Sequence, residues 1–262
     1  MYGDVMLRKI LTGAAVLATS SFATFSNFPV PAAQSGEVKI VSDFTMQGDW
    51  KDLGLSAKGR FVPVQNLELY LKLPFTVVTR WEGHDADKEG MKNLTFGGRY
   101  QIISTVAAFL DVTFPTGKDA INDDGFSFYF GGQYSKDFGA VALGSEVGLT
   151  VITEGSNHKK PPMVLSLNAE LDPNVSPVVT PYFGATMNII LTNPQANGHK
   201  DGETSGDIGI SPYVGANIKI NQMFSFDVSA SFTLGDDYLA ATCDGNTKTP
   251  ITLSASFNAS FK

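Results

Sequence analysis

The stretch Ile251-Thr-Leu-Ser-Ala-Ser-Phe-Asn-Ala-Ser-Phe261 is the most informative in the chain. Ile251, Leu253, Ala255, Phe257, Ala259 and Phe261 are apolar, and Thr252, Ser254, Ser256, Asn258 and Ser260 between them are small and polar. Successive side chains of a strand point to opposite faces, so strict alternation describes a strand with one apolar and one polar face. The segment upstream does the same, with Phe224, Phe226, Val228, Ala230, Phe232 and Leu234 against Ser225, Asp227, Ser229, Ser231 and Thr233.

Working back along the chain, the same rule predicts twelve strands. They are Val38–Met46 (the least regular), Leu53–Phe61, Leu67–Val77, Leu94–Ile102, Val106–Phe114, Phe126–Tyr134, Val141–Val151, Met163–Leu171, Val179–Leu191, Ile208–Ile220, Phe224–Leu234 and Ile251–Phe261. Soluble strands average five or six residues. A tilted strand crossing a bilayer needs about 9–11 residues, and the predicted strands have that reach.

The gaps between them alternate. Those at 63–66, 104, 136–139, 172–177 and 221–222 are short. Those at 79–92, 115–125, 152–161, 192–206 and 235–248 are long, with 47–51 modest. Tight turns on one rim and long loops on the other are the plan of an outer-membrane β-barrel. The expected fold is therefore all-β, a closed antiparallel up-and-down transmembrane barrel. A secreted soluble β-sandwich binding protein is the competing fold, since its strands also alternate. Pro74, Pro181 and Pro212 fall inside strands and each removes a ladder donor, which calls for bulges or shifted boundaries.

Composition agrees. Of 262 residues, 43% are hydrophobic and 17% charged, and the mean hydropathy is +0.01. Disorder needs lower hydrophobicity and higher charge, and no apolar run reaches the length of a spanning helix. Met6–Ala23 has Arg8 and Lys9 ahead of an apolar core and ends in Ser21-Phe22-Ala23, the layout of a signal peptide. Cleavage is expected after Ala23, with Ala33 the second choice. Residues 24–37 would then be a periplasmic tail and 38–262 one barrel domain. Removing Asp4, Arg8 and Lys9 leaves 17 basic and 25 acidic side chains, a net charge of −8. That disfavours a nucleic-acid partner, which needs a basic face.

Chemistry is sparse. His84, His158 and His199 lie in loops, and Cys243 is single, so no nucleophile triad or zinc spacing appears. The reading is a non-enzyme with no metal and no cofactor. The long loops are acidic: Asp85, Asp87 and Glu89; Asp119, Asp123 and Asp124; Asp201, Glu203 and Asp207; Asp236, Asp237 and Asp244. Their spacing is not that of a calcium loop, and solvated surface charge is the simpler reading. The candidate site is the lumen. Its expected lining is Lys58, Arg60, Glu68, Tyr70, Lys72, Arg99, Phe109, Asp111, Tyr129, Glu146, Glu170, Tyr182, Tyr213, Lys219 and Asp227. With Lys39 and Asp43, the inward bases and acids balance in number. Charges in a narrow lumen need partners, which predicts pairing across the barrel and a partly plugged passage. The inward aromatics are expected to narrow it or to stack on a ring-bearing solute.

Two stretches carry a family resemblance. Gly97-Gly98-Arg99-Tyr100 precedes a tight turn, and Leu110-Asp-Val-Thr-Phe-Pro-Thr-Gly117 leaves a strand for an acidic loop. This pair resembles the outer-membrane transporter or MetA-pathway family of phenol degradation. Phe261 also resembles the terminal aromatic read by barrel-assembly machinery, although Lys262 follows it. The resemblance implies an outer-membrane channel passing small solutes, hydrophobic or aromatic molecules among them, with no catalytic residues. Outer-membrane lipid, lipopolysaccharide and the assembly machinery are the expected partners, with long loops extracellular and termini periplasmic. A closed structural or adhesive barrel that binds through its loops is the other outer-membrane reading.

Overall fold

The computed structural model describes residues 25–118, 124–156, 158–236, 239 and 248–262. The expected signal peptide, Asp119, Asp123, Asp237, Cys243 and Asp244 lie outside the described residues. Twelve long strands form the body: β1 (Gly36–Gln47), β2 (Trp50–Val64), β3 (Leu67–Trp81), β4 (Leu94–Ile103), β5 (Val106–Phe114) and β6 (Ser127–Asp137), then β7 (Val141–Ile152), β8 (Val164–Pro173), β9 (Val179–Ile190), β10 (Ile208–Lys219), β11 (Phe224–Phe232) and β12 (Ile251–Phe261).

Each strand pairs antiparallel with its sequence neighbours, and β1 pairs with β12 from Gly36↔Phe261 to Met46↔Ile251. The sheet therefore closes with no free edge. Closure matters physically, because in hydrocarbon every backbone N–H and C=O must find a partner within the protein. The seam is tight where the termini of the barrel meet: a Cβ on Gly36 would collide with the Phe261 ring. The first strand, the least regular in sequence, is paired without a break on both sides.

Outward faces carry the apolar half of the alternation, and large side chains such as Ile40, Leu55, Leu110, Val214 and Phe257 stand exposed there. A soluble sandwich would bury this face. Here it surrounds the outside of a closed cylinder, where only lipid suits it. Exposed aromatics at strand ends, among them Phe61, Tyr100, Tyr134, Phe232 and Phe261, fit interfacial girdles.

One rim has only short turns, at 65–66, 104–105, 138–140, 174–178 and 220–223; the other has long loops at 82–93, 115–126, 153–163, 191–207 and 233–250. The first connection, at 48–49 on the long-loop rim, is tighter than its sequence suggests: Gln47 pairs directly with Trp50, and Gly48 takes φ 59° to make the turn.

Pro74, Pro181 and Pro212 stay within strands, each at a gap in the ladder. Pro74 lies past Lys72↔Thr95, the last β3–β4 pair; its carbonyl there accepts from the Lys92 N–H of the loop, and a register shift in β2–β3 falls nearby at Leu53/Gly54. Pro181 lies past Leu171↔Phe183, the last β8–β9 pair. Pro212 lies past Tyr213↔Ser231, the last β10–β11 pair, and beyond it Ile210 pairs with Leu234 in the short stretch that follows β11. A missing N–H costs nothing where no carbonyl awaits it.

Candidate functional site in the lumen

Cross-strand register places the inward side chains in rows around the wall. One row runs Glu37, Arg60, Tyr70, Gly97, Asp111 and Tyr129 from β1 to β6. A second runs Lys39, Lys58, Lys72, Thr95 and Thr113 from β1 to β5. Fourteen of the fifteen expected lining residues are buried or half-buried on this inner wall; Lys219, inward by register, is exposed at the short-turn end of β10.

Residues 25–35 do not trail away from the barrel. Ser35 and Gln34 bond to Val62 near the short-turn end of β2, and Val30 N–H donates to the Gln101 side chain at 2.8 Å. The chain then crosses the lumen. Arg99 donates to the carbonyls of Ser26 and Phe28 (2.6 Å to the latter), to Gln133 at 2.9 Å and to Glu68 at 3.0 Å. Asn27 donates to Asn168 on β8 at 2.6 Å. The Phe25 ring lies 4.6 Å from the Arg60 guanidinium, 4.7 Å from Lys39 Nζ and 6.4 Å from the Tyr70 ring. Residues from β1, β2, β3, β4, β6 and β8 thus converge on this segment, which occupies the short-turn half of the lumen.

Ion pairs concentrate in the same place. Arg60 bridges Glu37 and Glu68, Arg99 bridges Glu68, and Lys39 reaches Glu37 at 3.4 Å. Glu68 and Arg99 have fully buried side chains. A buried charge is tolerable only when paired and hydrogen-bonded, which accounts for the density of the network.

Elsewhere the acids take tyrosine hydroxyls instead of bases. Tyr129 donates to Glu146 at 2.5 Å, Tyr182 to Asp227 at 2.8 Å and Tyr213 to Glu170 at 2.9 Å. Each ring lies flat on the wall because a neighbouring strand offers it a glycine. A Cβ on Gly97 would collide with the Tyr70 ring, on Gly148 with Tyr129, on Gly184 with Tyr213 and on Gly215 with Tyr182. These tyrosines are wall fittings that hold carboxylates, so they narrow the passage less than their size suggests. Phe109 packs against Tyr129, with ring centroids 4.9 Å apart.

The balance of inward charge shifts once the strands reach their full length. Glu37, Asp52 and Asp172 also stand on inward positions, one residue beyond the expected ends of their strands. The described strands then carry more inward acid than base. Most inward bases share one side of the barrel, whereas inward acids line both. Lys39, Lys58, Arg60, Lys72 and Arg99 come from β1–β4 together with Glu37, Asp43, Asp52 and Glu68, whereas Glu146, Glu170, Asp172 and Asp227 come from β7–β11, with Lys219 the one inward base among those strands.

The loops gather little. The three histidines are exposed, His158 beside Glu154 at 3.1 Å. Asp85, Asp87 and Glu89 approach one another within 4.8 Å. Two of the three are already engaged: Glu89 accepts from Thr79 N–H at 2.7 Å and from its hydroxyl at 2.6 Å, and Asp85 pairs with Arg80 at 2.8 Å. The Asp87 N–H and Arg80 hold the Asp85 carboxyl below the usual carboxylate range.

A closed twelve-stranded barrel with a lipid-facing exterior and a polar, charged interior defines the class: a transmembrane β-barrel of the outer-membrane type. Solved structures agree. The chain superposes on an outer-membrane channel from Pseudomonas putida F1 with a TM-score of 0.70 at 13% identity, covering 91% of this chain and 99% of that one. The translocator domain of the autotransporter NalP from Neisseria meningitidis gives 0.58 at 11% identity, with 99% of each chain covered. The NanC porin gives 0.55 at 8% identity, over 86% of this chain and 99% of that one. No family model matches the sequence, and no curated protein matches it either.

Proposed function

We propose that this chain is an outer-membrane channel through which small solutes diffuse passively, with the long loops extracellular and the short turns periplasmic. The observation that carries the proposal is the lumen itself. It is lined by polar and charged side chains, sits inside a closed barrel, and is crossed in its short-turn half by residues 25–30. The likeness in fold to a P. putida outer-membrane channel supports it, as does the resemblance to the phenol-degradation family, which extends the solutes to small aromatic or hydrophobic molecules. No covalent chemistry is required; the walls size and screen what passes.

The inward wall of β7–β9 carries Glu146, Glu170 and Asp172 and no base, and this negative side sets a field across the passage that orients polar solutes as they cross. Outer-membrane lipid and lipopolysaccharide are the surroundings its apolar belt and loops would meet, and Phe261 is the residue the assembly machinery would read. One observation favours the closed structural or adhesive reading: the Arg99 cluster holds residues 26–28 across the lumen. Liposome swelling separates the two. A channel admits a small neutral sugar such as arabinose faster than empty liposomes do and excludes a tetrasaccharide. A closed barrel admits neither.

A further inference from the structure

Two lumen cations lack the partners that their basic neighbours have. Lys58 on β2 and Lys72 on β3 are directly opposite in register, and like charges so placed repel. Arg60, Arg99 and Lys39 each reach a carboxylate. Among the described residues no carboxylate lies within 4.0 Å of either the Lys58 or the Lys72 amine, and neither amine makes a hydrogen bond. The acids nearest them lie beyond 4.0 Å: Ser254 donates to Asp43, and Asp111 sits against Tyr70 over Gly97. An ammonium offers three donors, and enclosing it without acceptors is costly.

We propose that Lys58 and Lys72 form an anion-binding subsite that takes the carboxylate of a small organic acid in transit. Two amines about 5 Å apart at the root, as directly opposite residues are, can close on the two oxygens of one carboxylate. The next inward row toward the long-loop rim is Val41, Ser56 and Pro74, a small, largely apolar surface against which the body of such a solute can lie. Asp43 and Asp111 keep the neighbourhood close to neutral overall, which favours a monoanion over a dianionic phosphate. The subsite rests on the channel reading for the solute's access to it.

The test is calorimetric titration of the refolded mature chain, in an uncharged detergent, with sodium benzoate and with its neutral analogue benzamide. Benzoate is expected to bind at least tenfold more tightly than benzamide. Lys58→Gln/Lys72→Gln is expected to lose that preference, and Lys58→Arg/Lys72→Arg to keep it. Heat-modifiable migration on a denaturing gel confirms that each variant is folded. Equal binding of the two probes, no benzoate binding, or an unchanged preference in the double glutamine variant overturns the subsite. Arabinose entry into liposomes reads the channel independently: sugar entry without benzoate binding removes only the subsite, and benzoate binding without sugar entry removes the channel.

Discussion

Replacing Arg99 with Met tests whether residues 25–30 are fastened in the lumen by the contacts described above. Arg99 is 1% exposed and bonds to two carbonyls of the segment, to Gln133 and to Glu68. The Met side chain keeps the bulk and removes every donor. Glu68 retains Arg60 at 3.2 Å, so the loss falls short of the roughly 3–5 kcal/mol typical of an orphaned buried charge. Two segment carbonyls lose a charged donor, each bond contributing about 1.5–3 kcal/mol. Gln133 still holds the Ser26 carbonyl at 3.1 Å. A net loss of about 3 kcal/mol in the segment's seating is reasonable, and at about 1.4 kcal/mol per factor of ten that is roughly a hundredfold shift toward an unseated segment. The ladder of β1–β12 does not depend on Arg99, so the barrel stays closed. Arabinose entry into liposomes and single-channel conductance should both rise. A folded Arg99→Met variant with unchanged conductance would show that these contacts do not fasten the segment.

The structure makes two further predictions. Gly148→Ala should force the Tyr129 ring off the wall and break its bond to Glu146, changing the near-ultraviolet circular dichroism and lowering stability by about 1–3 kcal/mol, the usual cost of overpacking; an unaltered spectrum would show that the ring has no need of the glycine. The mature chain should begin at Thr24, because Phe25, Asn27 and Phe28 are built into the lumen network; a mass corresponding to cleavage after Ala33 would mean the lumen works without that segment.

The barrel was largely legible because period-two alternation is set by the lipid and water on its two sides, and both act on every residue of a strand. Strand ends were less legible, since the alternation weakens where the wall leaves the membrane. Glu37, Asp52 and Asp172 therefore fall one residue outside the expected strands, and the inward charges balance only within those bounds. Extending the alternation by a residue at those ends would have found all three. The individual lining positions were readable from parity, but their partners were not. Which acid meets a tyrosine and which meets an arginine depends on register between strands, and glycines such as Gly97 and Gly148 reveal their purpose only beside the ring they admit. Residues 25–35 show no alternation, so the sequence carries no sign that they enter the barrel.

Planar-bilayer recording of the refolded mature protein asks the decisive question, whether this barrel conducts. Discrete conductance steps are expected, growing when Arg99 is replaced by Met. A membrane into which the heat-modifiable, folded protein has inserted but which stays sealed, for the native chain and the variant alike, would contradict the channel reading.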